Sequence, residues 1–254
     1  WAAHRATWIV WPHNRSDWPG KLGAVDWCYV ELVRRLTAAE PVAIVFGTAT
    51  EERRALGRLS RAGVDLERVE PYRFPTNRSW IRDTGPTFVT RLGDQGVERE
   101  VALVDWRFNA WAKYDDWSHD NRLPARIAGA LGLRRFIART REGRRIVLEG
   151  GCVDVNGQGA ALTTEECLLD PVVQARNPGL GRDDMERVLR DHLGVETLIW
   201  LGRGIAGDDT HGHVDDIARF VAPRTVVAAT EADPGDVNHA PLVENLARLR
   251  QARG

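Results

Sequence analysis

The chain has 254 residues and 43% of them are hydrophobic, which is enough for one domain with a substantial core. Its formal net charge is −1, so neither nucleic-acid binding nor attachment to a membrane surface is expected. No apolar run approaches the roughly 20 residues that a membrane-spanning helix needs.

Short apolar strands alternate with amphipathic helices along the chain. In chain order, the pattern predicts a strand at 6–12, a helix at 25–40, a strand at 41–47, a helix at 51–63, strands at 84–92 and 100–108, a helix at 121–132, a strand at 144–151, a helix at 184–194, strands at 196–202 and 218–230, and a last helix that ends the chain. Gly63, Gly132 and Gly194 stand where left-handed residues would end helices. Helices from residue 51 onward recur at intervals of roughly 60 to 70 residues, which suggests a repeated ββαβ unit.

No linker or low-complexity stretch divides the sequence, so a single domain over 1–254 is predicted.

The residues at both ends of the sequence suggest that it belongs to a longer protein. The first residue is Trp1 rather than methionine, and the last helix has Leu242, Leu246 and Leu249 at helical spacing with nothing after it to pack on. We therefore expect this domain to be truncated at both ends.

The three cysteines, Cys28, Cys152 and Cys167, are an odd number without CxxC spacing, which favours a reducing compartment over a disulfide framework. A reactive thiol needs a helix N-terminus or a cationic neighbour. Cys152 lies in an apolar strand pattern and Cys167 has Glu166 and Leu168 as neighbours. Neither is expected to be a nucleophile.

Residues 77–89, NRSWIRDTGPTFV, place Trp80, Arg82 and Asp83 just before a turn that leads into an apolar strand. An acid beside a tryptophan face can bind a cation by ion pairing and stacking. Alternatively, Asp83 only caps the turn. The residues alone leave both interpretations open.

Residues 147–169 begin with an apolar strand pattern that ends at Glu149, followed by Gly150 and Gly151. Two glycines let the backbone bend and allow another group to approach closely. A buried carboxylate at this point needs a partner, whereas an exposed turn glutamate does not. The later NGQG glycines have no Lys-Ser/Thr pair after them and do not indicate a nucleotide site.

Residues 207–216, GDDTHGHVDD, contain two histidines and four acids. On an extended chain, His211, His213 and Asp215 would share one face, which is a pattern that zinc ligands use. The other interpretations are a histidine acid/base oriented by a carboxylate, or a solvated turn.

Seven blocks of the sequence together resemble the bacterial agmatine deiminase and peptidylarginine-deiminase-like family. They are WAAHRATWIVWPHNRSDWPGKL, SWIRDTGPTFV, DWRFNAW, LEGGCVDVNG, TTEECLL, QARNPGL and DTHGHVDDIARF, in this order. The resemblance covers nearly the whole chain. It implies a five-bladed α/β propeller of ββαβ units, the pentein fold, around a central polar site. It also implies hydrolysis of a guanidinium group to a ureido group with release of ammonia, without metal or cofactor.

The resemblance also implies roles for individual residues. Asp83 and Asp215 would bind the planar guanidinium, and Trp80 would line the pocket. His213 would protonate the departing ammonia and then activate water, while Glu149 would stabilise its imidazolium. The nucleophile in this family is a cysteine that forms a covalent thiouronium intermediate.

That cysteine lies in a glycine-rich segment near the C-terminus of family members, and none of the three cysteines here has an equivalent position. We therefore expect this chain to lack the C-terminal blade with the nucleophile, and to be inactive alone.

The block at 7–21 resembles the agmatine enzymes and favours agmatine, a small guanidinium compound, as the substrate. Peptidylarginine or arginine deimination, a noncatalytic guanidinium-binding fragment, and a metal hydrolase with His211 and His213 remain alternatives. The resemblance further implies a cytoplasmic location and a possible homo-oligomer, with no nucleic-acid or membrane partner.

Overall fold

The N-terminal part of the chain is a parallel sheet in which helices alternate with strands, in the order β1-β2-β3. The structure is a computed structural model that describes residues 4–92 and 99–252. The first elements are β1 (Thr7–Val10), α1 (Leu22–Leu36), β2 (Val42–Phe46), α2 (Ala49–Arg61) and β3 (Val69–Arg73). All of β2 is buried, as expected of the central strand of a parallel sheet covered on both faces.

Two ββαβ units follow, each with an antiparallel strand pair and a third strand parallel to the second. The first unit and the short helix before it comprise α3 (Ile81–Thr84), β4 (Thr87–Leu92), β5 (Arg99–Asp105), α4 (Leu123–Leu131) and β6 (Arg134–Ile137). The second comprises β7 (Asp154–Val155), β8 (Ala160–Thr164), α5 (Glu165–Leu169), α6 (Arg182–Leu193) and β9 (Thr197–Leu201). An antiparallel hairpin and a helix come last: β10 (Ala218–Ala222), β11 (Thr225–Ala228) and α7 (His239–Gln251). The α/β class and its repeated unit are thus confirmed, whereas closure into five blades stays a prediction.

Capping residues explain where the helices begin and end. At the start of α2, the Thr48 hydroxyl accepts a hydrogen bond from Glu51 N at 3.1 Å, and the Glu51 carboxylate accepts one from Thr48 N at 3.2 Å. Helices α4 and α6 end at Gly132 and Gly194, with φ of 64° and 67°. Glycine adopts this left-handed conformation without strain, so the helix ends predicted there are confirmed.

The structure departs from the predicted elements where charge, glycine or a turn interrupts the pattern. The strand predicted at 218–230 is wrong as a single strand, because a turn at Pro223 and Arg224 divides it into β10 and β11. Residues 144–151 form no strand; they make two isolated bridges, Arg107 with Val147 and Arg139 with Arg145, before the turn at Gly150. The pattern also misses β3 and β6, which are edge strands with charged residues, as well as the two-residue β7 and its partner β8. Charged edge strands lack the apolar alternation by which strands are recognised.

The largest apolar core lies beneath the second ββαβ unit. It includes Ile146, Leu148, Met185, Leu189 and Trp200. Cys152 and Cys167 belong to the same core, which therefore anchors the chain directly after Glu149. No helix within residues 4–92 and 99–252 is long and apolar enough to cross a membrane.

A buried carboxylate, Asp120, fixes the chain ahead of α3. Its Oδ1 atom accepts hydrogen bonds from the backbone N–H groups of Asn77, at 2.7 Å, and Arg78, at 3.3 Å. Its Oδ2 atom has no hydrogen-bond partner among the described residues. Burial raises the pKa of Asp120 to about 6, against the opposing effect of the two backbone hydrogen bonds.

We expect Asp120 to make folding less favourable as the pH rises from about 4 to about 6. The pKa of Asp120 is about 6 in the folded chain and near 3.9 in the unfolded chain. Between these pH values the carboxyl group is therefore ionised mainly in the unfolded chain, which lowers the free energy of the unfolded state relative to the folded state. A shift of roughly two pKa units corresponds to about 3 kcal/mol. Urea unfolding of wild type and Asp120→Asn across this pH range measures the effect. The stability of wild type relative to the variant should fall with rising pH, and a constant difference would contradict the assignment.

Candidate active site

Three short helical turns bring the predicted acids and histidine to one place. Helix α3 carries Asp83, and Glu149 directly precedes the turn at Gly150–Cys152. His213 directly precedes the turn at Val214–Asp216, which contains Asp215. The turn at Gly150–Cys152 packs against both of the others.

His213 lies at the centre of this site and is 2% exposed. Its Nδ1 atom is 3.9 Å from Asp83 Oδ1 and 3.9 Å from Asp215 Oδ1. Its Nε2 atom is 3.5 Å from Glu149 Oε2. The four side chains that the sequence singled out are therefore neighbours, although they are up to 132 residues apart by number.

Asp83 is held by hydrogen bonds from two other parts of the chain. Its Oδ1 atom accepts one from Gly151 N at 3.2 Å, and its Oδ2 atom accepts one from Trp111 Nε1 at 3.2 Å. Trp111 and its two neighbours have positive φ angles of 51° to 59°, which is strained for residues other than glycine. This left-handed turn directs the indole N–H of Trp111 at Asp83.

Glu149 is fully buried and pairs with an arginine that is buried as well. Arg176 Nε lies 3.3 Å from Glu149 Oε2 and 3.4 Å from Glu149 Oε1. Arg176 also donates hydrogen bonds to the carbonyl groups of Gln174 and Thr210. Burial alone would raise the pKa of Glu149, but Arg176, His213 and Cys152 outweigh it and lower that pKa to about 2.

The charges around His213 favour its protonated form. Burial would lower the pKa of His213, whereas the carboxylates of Glu149 and Asp83 raise it above its ordinary value. Burial, Glu149 and Asp215 together raise the pKa of Asp83 to about 6, although His213 lowers it. The site therefore combines an imidazolium with carboxylates that differ in their affinity for a proton, which is an arrangement suited to acid–base chemistry.

Asp215 and Trp80 lie at the outer side of the site. The Asp215 side chain is 19% exposed, and its Oδ2 atom accepts a hydrogen bond from Arg82 Nε at 3.1 Å. Trp80 is 38% exposed and its ring centroid lies 5.0 Å from that of Trp18. Trp80 thus presents an accessible aromatic face three residues before Asp83, and its contact with a substrate stays a prediction.

His211 does not join His213, so the expectation that both histidines share one face is wrong. The segment is not extended there, because His211 has a φ of 61° and Gly212 one of 85°. His211 Nε2 instead lies 3.0 Å from Asp170 Oδ2. A metal hydrolase that uses both histidines as ligands therefore receives no support from the geometry.

Gly150 and Gly151 allow the close approach that the sequence indicated. A Cβ atom on Gly150 would lie 2.0 Å from Arg82 O, and one on Gly151 would lie 2.2 Å from His213 Nδ1. Any side chain at either position would push the three turns apart. The double glycine is thus a requirement of the site.

Replacing Gly151 by alanine should displace the His213 ring and destabilise the fold by about 1–3 kcal/mol, as overpacking does. Gly129→Ala is a matched control, because it lies within α4 with nothing within 4 Å of the added Cβ. Thermal unfolding of both variants measures the difference. Equal unfolding temperatures for the two variants would show that His213 does not pack on Gly151 as described.

The cysteines differ in exposure and chemistry. Cys152 is buried, donates to Glu149 Oε2 at 2.8 Å and lies 3.1 Å from the sulfur of Cys167. Burial and both neighbours raise the pKa of the Cys152 thiol well above its usual value, which disfavours the thiolate that a nucleophile needs. Cys28 is exposed on α1.

Arg176 and Trp111 hold Glu149 and Asp83 in place, a role that was not assigned to either residue from the sequence. Both lie in blocks that carried the family resemblance, QARNPGL and DWRFNAW. The need of a buried Glu149 for a cationic partner was a signal, but it did not indicate which of the many arginines supplies it. The left-handed turn at Trp111 has no signature in the sequence, because no glycine marks it.

The chain is similar to known proteins over its whole length. The family model described as Porphyromonas-type peptidyl-arginine deiminase matches residues 1–254. The agmatine deiminases of Ectopseudomonas mendocina and Stutzerimonas stutzeri are 36% and 38% identical to this chain. These matches cover 100% of this chain, and 66% and 65% of the relatives.

Solved structures of agmatine deiminases have the same fold. That of Enterococcus faecalis has a TM-score of 0.83 at 30% identity, covering 98% of this chain and 64% of its own. A C. jejuni structure, with a cysteine replaced by serine and substrate bound, has a TM-score of 0.83 at 26% identity, covering 99% of this chain and 69% of its own. This chain thus spans about two thirds of the length of these relatives. It belongs to the Porphyromonas-type peptidyl-arginine deiminase family.

Proposed function

We propose that this chain supplies the guanidinium-binding and acid–base residues of an enzyme that hydrolyses agmatine to N-carbamoylputrescine and ammonia. The observation that carries the proposal is the position of His213 among Asp83, Asp215 and Glu149. Carboxylates bind planar guanidinium groups through paired, charge-assisted hydrogen bonds. Asp83 and Asp215 would hold the substrate in this way next to the His213 imidazolium.

The chemistry then follows from this arrangement. A cysteine thiolate attacks the guanidinium carbon, and the C–N bond breaks as His213 gives its proton to the departing ammonia. The product of this step is a covalent thiouronium. Neutral His213 then takes a proton from water, whose oxygen attacks the same carbon. The thiolate leaves, and the new hydroxyl group releases its proton to solvent to give the ureido product. Glu149, held ionised by Arg176, stabilises the imidazolium in both steps.

The nucleophile would come from outside the three cysteines of this chain. Cys152 is buried, hydrogen-bonded to Glu149 and disfavoured as a thiolate, and Cys28 is exposed on α1. The C. jejuni agmatine deiminase was captured with substrate after a cysteine was replaced by serine, which is consistent with a cysteine nucleophile in this family.

The test is a substrate assay on the full-length product of the gene that encodes this chain. Agmatine, free arginine and an arginine-containing peptide are compared for release of ammonia and formation of a ureido group. We expect agmatine to be the preferred substrate, with inactivation by a thiol alkylator. The family model carries the name of a peptidyl-arginine deiminase, so preference for the peptide is the second candidate. No ammonia from any of the three would refute deimination.

A further inference from the structure

Four side chains that could bind a metal ion lie together in the buried part of the site. They are the side chains of Glu149, Cys152, Cys167 and His213, and one ligand atom from each lies within 4.8 Å of all the others. We propose that this group, called here the inner cluster, binds a thiophilic divalent cation such as Zn²⁺ and thereby inhibits the site. The binding claim stands by itself, whereas inhibition rests on the function proposed above.

The donor set and spacing of the inner cluster suit zinc. Structural zinc sites use four cysteine, histidine or carboxylate ligands in a tetrahedron, in which neighbouring donor atoms are separated by roughly 3.3–3.8 Å. Cys152 Sγ lies 2.8 Å from Glu149 Oε2 and 3.1 Å from Cys167 Sγ. His213 Nε2 lies 3.5 Å from the same Glu149 oxygen. Side-chain shifts of about 1 Å would open these spacings to the tetrahedral ones.

The inner cluster also contains a polar atom that is poorly hydrogen-bonded. His213 Nε2 is buried, and its contact with Glu149 Oε2, at 3.5 Å, is longer than a good hydrogen bond. A buried nitrogen with so weak a partner is costly, and coordination to a cation would satisfy it. A ring nitrogen of His213 lies within 4.8 Å of the other three ligand atoms, and Nε2 is the nitrogen on the side of Glu149, so it would complete the ligand set.

Charge balance favours the same occupant. As the metal bonds form, each thiol releases its proton to solvent and His213 releases the proton on Nε2. The two thiolates and the Glu149 carboxylate would then face the dication and the buried guanidinium of Arg176, so that the charges cancel. Buried charges cost less free energy when each has a compensating partner of opposite charge, as here.

A bound cation would block acid–base chemistry. With four protein ligands, the metal keeps no open position for water, which distinguishes it from a catalytic zinc. With Nε2 bound to the metal, His213 could no longer form the imidazolium whose Nδ1 proton, on the side of Asp83 and Asp215, would pass to ammonia. Zn²⁺ should therefore lower the turnover of the full-length enzyme.

Binding can be tested on the 254-residue chain without any activity assay. The chain, kept reduced with a phosphine, is titrated with Zn²⁺ by calorimetry and with Co²⁺ by visible absorption. We expect one ion per chain, a rise in unfolding temperature, and Co²⁺ bands of a tetrahedral site with thiolate ligands. Cys152→Ser and Cys167→Ser should each lower the Zn²⁺ affinity on the order of a hundredfold or more.

Cys28→Ser is the matched control, because Cys28 is exposed on α1, outside the inner cluster. It should bind Zn²⁺ as wild type does. Cys167→Ala serves as a second variant if the serine variant does not fold, since a small apolar side chain suits this core. Absence of Zn²⁺ binding by wild type, or binding that survives the loss of both buried cysteines, would overturn the proposal. If Zn²⁺ binds but substitution of His213 leaves turnover unchanged, the proposed function fails and the cation site stands.

Discussion

Replacing His213 by asparagine should lower the turnover of agmatine by the full-length gene product about 10²- to 10⁴-fold, the usual contribution of a general acid–base group. The asparagine side chain is somewhat smaller than the His213 imidazole, and it has no acidic proton to give to ammonia. The loss should appear in kcat more than in KM, since Asp83 and Asp215 would still bind the guanidinium.

His211→Asn is the matched control for this substitution. His211 is two residues away and bonds to Asp170 rather than to the site, and asparagine tolerates its left-handed backbone. This variant should keep most of the activity. Similar losses in both variants would indicate a general effect of the segment rather than proton transfer by His213.

Replacing Arg176 by methionine should destabilise the chain by about 3–5 kcal/mol, because it leaves a buried carboxylate without its cationic partner. The side chains of Glu149 and Arg176 are both fully buried, so water cannot replace the lost interaction. The measurement is the free energy of unfolding by urea. Methionine fills similar volume, so a cavity explains little of the expected loss.

Two further variants separate charge pairing from packing. A double variant, Glu149→Gln with Arg176→Met, removes the buried charge as well as its partner and should recover much of the lost stability. Arg34→Met breaks the exposed pair with Glu31 on α1 and should have no measurable effect. If the double variant is as unstable as Arg176→Met, the ion pair is not the reason for the loss.

The elements that the sequence predicted well are those whose signal is local. The strand at 41–47 and the helix at 51–63 were found because β2 is uniformly apolar and the amphipathic pattern of α2 stops at Gly63. The edge strands β3 and β6 were not found, because charged residues on them obscure the alternation.

The site was predictable in composition but not in geometry. Four acidic or basic side chains could be selected by motif, and the double glycine after Glu149 indicated a close approach. The partners Arg176 and Trp111 depend on contacts across about 30 residues of sequence, which no local pattern encodes. The direction of His211 depends on two left-handed residues in a row, which reverse the face that an extended chain would give it.

Binding of one guanidinium group between Asp83 and Asp215 is the central requirement of the proposed function. Calorimetric titration of agmatine into the 254-residue chain tests this directly, with Asp83→Asn, Asp215→Asn and, as a control at an exposed position of α6, Asp191→Asn. We predict that wild type and the control bind alike and that each site variant binds at least about tenfold more weakly, as the loss of a charge-assisted hydrogen bond implies. Equal affinities in all four proteins, or no binding by wild type, would contradict the account.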